Sequence, residues 1–396
     1  MKRTLIGIFL IVLSACWLLS CGGGTPSSTT TAPGATSGLK FRAFVSNNFA
    51  GQLDIVDATM DALSTNTITV GVQPGLMAVT PDRTTTLIFD QGSHTFAVVD
   101  NATEQQTATI GIPNFTESFV VSADSTRLFA AVPQEGVFNQ PNGAVEVLNI
   151  GGQFRITTIP AAGAHYLSMS NNGNRLLVFG DNSNSVTVID TTKINAAGEF
   201  TAVPGFDRPV AAVFSSDDST AYVLNCGPEC GGTAAGISVL NMSNLTITRT
   251  VPVQAATVGL LDGTTLYVAG TRAGQQGAGV LQTMDTGSFA VSGPVAIGDG
   301  YHNRMALTNS LLFIGARTCN NVTQGCLSIF DTGANTARID TPNGDVTGME
   351  AITRNRNVLY VVEGGEVRIF STTTGQLSPT QLDIVGKAID VKLVDQ

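Results

Sequence analysis

The sequence predicts an all-β chain: an eight-bladed β-propeller closed by its C-terminal strand, with seven blades as the alternative count. Three observations predict it. A strand–loop–strand unit whose second strand ends in Asp, Asn or Ser recurs eight times, ending at residues 57, 100, 149, 190, 241, 285, 331 and 371. The spacing of roughly 40–50 residues matches one four-stranded blade. The first unit lacks a preceding strand, and residues 387–394 at the far end of the chain supply one in the matching slot.

Before the repeats stands an export signal. Lys2 and Arg3 precede an apolar run over residues 5–13, extended by Trp17, Leu18 and Leu19. This run is too short for a spanning helix and is followed by small residues. Leu18-Leu19-Ser20-Cys21 resembles the lipobox of bacterial lipoproteins. The resemblance implies cleavage after residue 20, acylation of Cys21, and anchoring in a membrane without a transmembrane helix. Gly22 rather than Asp in the next position favours the outer membrane, on its periplasmic side or surface. Residues 21–38 are almost wholly Gly, Ser, Thr, Ala and Pro. Too little apolar surface exists there to offset ordering entropy, so the segment is expected to be a flexible tether. The propeller is expected over residues 39–396.

Within each repeat the strands can be ordered. Thr86-Leu-Ile-Phe-Asp90 leads through a polar loop to Thr95-Phe-Ala-Val-Val-Asp100, and residues 174–179 and 185–190 repeat the pattern. A Thr-rich stretch follows each unit, such as Thr67-Ile-Thr-Val70 or residues 246–251, and reads as an outer strand. After a Pro/Gly turn comes an inner strand, such as Leu76-Met-Ala-Val-Thr80 or Val210-Ala-Ala-Val-Phe214. The second strands are continuously apolar, as expected where both faces of a sheet are covered. The C-terminal strand completes the first blade and leaves neither end as an open edge.

Phe44-Val-Ser-Asn47, Tyr222-Val-Leu-Asn225 and Tyr267-Val-Ala-Gly270, with Gln73-Pro74-Gly75, Thr80-Pro81-Asp82 and Val188-Ile189-Asp190, resemble degenerate YVTN repeats. The resemblance implies the propeller scaffold. The family includes envelope proteins and lactonase-like enzymes, so it leaves function open.

Composition narrows the partners. The formal charge is −10 and only 13% of residues are charged. No basic footprint for nucleic acid is present, nor a polybasic patch for anionic lipid. The expected contacts are a membrane, through the anchor, and an unknown protein or small-molecule ligand; the propeller is expected to be a monomer. The single tryptophan, Trp17, lies in the signal. The tryptophan-based blade motifs of quinoprotein dehydrogenases and WD40 repeats are therefore absent, and no cofactor is expected. Cys226/Cys230 and Cys319/Cys326 each fall inside one loop and are expected as two local disulfides, since export permits oxidation. A four-thiolate metal site is disfavoured by their spacing, so no metal is assigned.

Propeller topology puts the long loops between second and third strands on one face, together with the loops that enter each inner strand. That face is the expected functional mouth. The candidate mouth residues are His94, His165, Tyr166, Arg272, Tyr301, His302 and Arg317, with Glu117, Glu135, Asp181, Asp207 and Glu229 as nearby carboxylates. No nucleophile elbow or phosphate loop accompanies them, so no catalytic residue is assigned. The favoured reading is a binding or scaffold module acting through the long-loop face. The alternative is a lactonase-like hydrolase using an acid/base pair or a metal-bound water in the mouth.

Overall fold

Alternation of buried contacts along each second strand explains the architecture. Leu87 and Phe89 pack toward Leu128 and Ala130 of the next sheet, whereas Ile88 between them packs toward Phe44 and Ile55 of the preceding one. A strand covered on both sides needs apolar residues at every position, and Leu87, Ile88 and Phe89 are all completely buried. Burying each such side chain contributes about 2 kcal/mol. Outer strands carry a different signature: Ala62–Thr69 alternates between half-buried and exposed residues along most of its length.

The computed structural model describes residues 36–274, 279–319, 325–340, 343–352 and 356–395, except for the Cys319 side chain. The expected signal, Cys21 and most of the tether lie outside them. Among the described residues are eight antiparallel sheets arranged as a ring of blades. The inner strands of blades 1 to 8 are Ala388–Leu393, Pro74–Val79, Ser118–Val121, Ala164–Met169, Pro209–Phe214, Val258–Asp262, Gly300–Thr308 and Val346–Ile352. Each touches the next, and the last returns to the first. Eight blades is therefore the count, not seven.

Blade 1 is built from both ends of the chain, as expected. Ala388–Leu393 pairs antiparallel with Arg42–Asn47, with Ala43 opposite Leu393 and Val45 opposite Val391. Arg42 locks the joint. Its guanidinium donates to Asp395 at 2.7 and 2.8 Å, to Glu104 at 2.7 Å and to the Asn101 carbonyl at 2.8 Å. Just before it, the Ser37 hydroxyl donates to Glu104 at 2.5 Å. Glu104 lies in the turn between Thr95–Asp100 and Gln105–Gly111. That turn belongs to the face opposite the mouth, so the chain enters the propeller from there.

Blade 8 departs from the repeat. It has three strands, and its outer edge meets only isolated bridges, Val367 with Leu382 and Phe370 with Leu377. Pro379 in this stretch has no N–H for a ladder. Leu382 and Ile384, each 2% exposed, fill the apolar space that a regular fourth strand would cover.

Candidate functional site

Each inner strand begins at the mouth, and several begin with a β-bulge. The ladder of blade 4 pairs Ala164 with Gly180 and Tyr166 with Phe179, leaving out His165. Blade 5 leaves out Val210, and blade 8 leaves out Thr347. Blade 7 has two shifts, which leave out Asn303 on the inner strand and Arg317 on its neighbour. A bulged residue escapes the alternation of the pleat and can be aimed elsewhere. Here Val210, Asn303, Arg317 and Thr347 all line one cavity of about 410 Å³ in the central channel. Two glycines permit the approach. Gly163 (φ +62°) turns the chain tightly against Asp181 just before His165. Gly300 (φ +149°) sits where a Cβ would lie 2.1 Å from the Thr318 carbonyl, just before Tyr301.

Across this mouth lies a charged chain. Arg317 grips Glu117 with two hydrogen bonds, Nη1 to Oε2 at 2.6 Å and Nη2 to Oε1 at 2.9 Å. Glu117 precedes the inner strand of blade 3 and Arg317 belongs to blade 7, so the pair spans opposite sides of the ring. His165 shares Glu117, with Nε2 2.9 Å from Oε2, and its Nδ1 is 2.6 Å from Asp181 Oδ1. The Tyr166 ring stacks on the imidazole with centroids 4.1 Å apart and planes 12° apart.

These contacts set the charges. The hydrogen bond to His165, against the cost of burial and helped by Arg317, brings Glu117 down to about 2. Burial opposes the charge on His165, but its bonds to Glu117 and Asp181 prevail and raise its pKa. Protonated, the imidazolium donates to both carboxylates. Burial raises the phenols of Tyr166 and Tyr301, which face one another. Burial also pushes Glu229, beside Tyr301, up to about 7, although its Oε2 accepts the Thr271 N–H at 2.8 Å.

Of the expected mouth residues, the structure brings together His165, Tyr166, Tyr301 and Arg317, with Glu117, Asp181 and Glu229. It sets the others apart. His94 sits in a left-handed turn (φ 53°) and Arg272 follows the strand Thr265–Thr271; neither lines the cavity. His302 is fully buried beside Asp299, and burial pushes it down to about 4; bulged Asn303, not His302, faces the channel. Asp207 pins the 226–235 loop, accepting from Thr233 and Ala234 N–H groups at 3.0 and 2.8 Å. Glu135 lies near Arg155 and Glu146. The Cys226–Cys230 disulfide is present, and its Cys230 borders a smaller pocket beside Tyr166 and Tyr301. Cys326 is buried, but the Cys319 side chain lies outside the described residues. Among the described residues, no cluster of three or more His, Cys, Asp or Glu is arranged to hold a metal ion.

Arg304, on the inner strand of blade 7, was not among the expected site residues. It lines the cavity and bonds only to backbone carbonyls: Nε to Thr347 at 3.0 Å and Nη1 to Asn303 at 3.1 Å. The sequence signal was Tyr301-His-Asn-Arg304, a polar opening to a strand type that is mostly apolar elsewhere.

The geometry defines a class: an eight-bladed β-propeller with a half-enclosed cavity of mixed polar and apolar lining in its central channel. Solved structures share the fold. A dihydro-heme d1 dehydrogenase, NirN, in complex with DHE is similar with a TM-score of 0.70 and 12% identity, over 91% of this chain and 76% of that one. Hydrazine synthase of Kuenenia stuttgartiensis follows at 0.52 and 15%, over 92% and 99%. A functionally unknown protein from Desulfotomaculum acetoxidans matches at 0.55 and 13%, over 90% and 99%. No protein-family model and no curated protein matches the chain. At these identities the likeness is one of fold alone.

Proposed function

We propose that the chain is a YVTN-like, lipid-anchored binding protein of the cell envelope, whose mouth takes a small molecule or a segment of a partner. The observation that carries this is the state of His165. Both ring nitrogens are committed to carboxylates, so the ring has no lone pair for a general base or a metal. Glu117, held near pKa 2 by its partners, is equally unsuited to taking a proton near neutral pH. The cross-channel chain is thus a rigid, charge-matched rim, of the kind that fixes a ligand's orientation above an apolar wall.

A second reading, the lactonase-like hydrolase, draws support from Glu229, whose pKa of about 7 would suit a general base. One set of experiments separates the two. Protein beginning at Ala35, the start of the unit that contains all eight sheets, is screened by thermal shift against a metabolite library and assayed with homoserine and δ-lactones. The binding reading expects saturable stabilisation, weakened by Arg317→Ala, without turnover. Lactone turnover abolished by Glu229→Gln in a folded variant would overturn it. Anchoring is tested on the whole exported chain by mass spectrometry: acyl chains are expected on Cys21 and should vanish in Cys21→Ala.

A further inference from the structure

We infer that the channel cavity is a site for an organic monocarboxylate, whose anionic head is held by Arg304. This rests on the reading of the mouth as a binding site and names the chemistry of what enters it. The argument starts from charge accounting. Around the cavity, Arg317 and His165 are answered by Glu117 and Asp181. Asp390, the acid nearest to Arg304 in electrostatic effect, is itself occupied: it accepts from Met77 N–H at 3.0 Å, Val391 N–H at 2.9 Å and Lys392 Nζ at 3.2 Å. Lys387 is exposed, and its ammonium lies over the Phe49 ring at 6.0 Å. Of the arginines lining the cavity, Arg317 is paired with Glu117, and Arg304 has no ion pair among the described residues.

A guanidinium is always charged and presents donors in a planar fork. Two donors of Arg304 reach carbonyls, and these fix the plane without neutralising the charge. Beside it, Thr347 Oγ1 is buried without a hydrogen-bond partner. The threonine hydroxyl can donate to an anion, and so can the amide of Asn303. Both residues are at bulges, so the backbone has departed from its ladder to place them there. One enclosed, unanswered guanidinium suits a monoanion better than a phosphate dianion. The remaining wall includes Leu76, Leu167, Val210, Val258 and Ile389. It would receive an apolar body, and a volume of about 410 Å³ accommodates one of modest size.

Calorimetry with benzoate and hexanoate, with benzamide and hexanamide as neutral counterparts, tests this on the protein from Ala35 onward. The carboxylates are expected to bind, and the amides at least about 10-fold more weakly, as for loss of a charged hydrogen bond. Arg304→Gln should weaken benzoate by about 10- to 100-fold, and Arg304→Lys by less. Equal binding of acids and amides would overturn the anion inference while leaving the mouth a ligand site. Inorganic phosphate binding more tightly than benzoate would overturn the choice of carboxylate. Binding of no acid would overturn the inference as a whole; the library screen judges the wider reading separately. Because the acid–amide comparison is made on the wild-type protein, it stands even if the Arg304 variants fail to fold.

Discussion

Glu117→Gln removes the negative centre of the cross-channel chain while keeping its shape. In the folded protein the carboxyl falls from an ordinary 4.5 to about 2. That fall corresponds to about 3 kcal/mol of stability, trimmed to about 2–3 kcal/mol by the partial exposure of the group. The sign follows from linkage. A depressed carboxylate contributes above its unfolded pKa and loses the contribution as pH falls toward the folded one. Its partner His165 is raised, so the histidine contributes below its ordinary 6.5 and fades as pH rises through its folded value. Both contributions are therefore present between 4.5 and 6.5. Urea unfolding of wild type and Glu117→Gln near pH 5.5 should differ by about 2–3 kcal/mol, and the gap should narrow steadily toward about pH 2. In the variant, NMR titration should show the His165 pKa falling. A gap that is the same at both ends of this range would refute the assigned charges, because a lost packing contact has no such dependence.

Arg42→Met strands Glu104 and Asp395, whose side chains are 4% and 23% exposed. A loss of about 3–5 kcal/mol is expected in urea unfolding, and raising salt to about 0.5 M should not erase it, since enclosed pairs are poorly screened. Glu229→Gln should be more stable than wild type near pH 8 and equal to it near pH 4. Burial holds the folded pKa near 7, so wild type loses stability as pH rises from 4.5 through about 7; identical pH profiles would contradict this. Replacing both Cys226 and Cys230 by Ala opens a loop closed over a separation of four residues. By the loop-entropy relation this should cost about 2 kcal/mol, read as a lower urea midpoint, and an unchanged midpoint would contradict it.

The ring was legible because a propeller writes itself eight times. Period, strand order and the role of residues 387–394 all follow from apolar runs and turns, and the closing strand proved to be Ala388–Leu393. The site was legible only by face. Tyr166, Tyr301, His165 and Arg317 could be assigned to the mouth from topology, but not which of them converge. Bulges decide that, and nothing in a local pattern announces one: His302 looked as available as His165, yet the register shift turns Asn303 to the channel and buries the histidine. Arg304 falls deeper in an inner strand, Gly300–Thr308, where loop position gives no sign that a side chain reaches the channel. The irregular edge of blade 8 was hidden too, since Leu382 and Ile384 resemble strand residues.

The entry of the chain beside Glu104 bears on where a ligand would come from. Ser37 is fastened to the underside of the ring, so the joint where the chain enters and the open mouth lie on opposite faces, like the foot and rim of a cup. A visitor at the rim would then not contend with that joint.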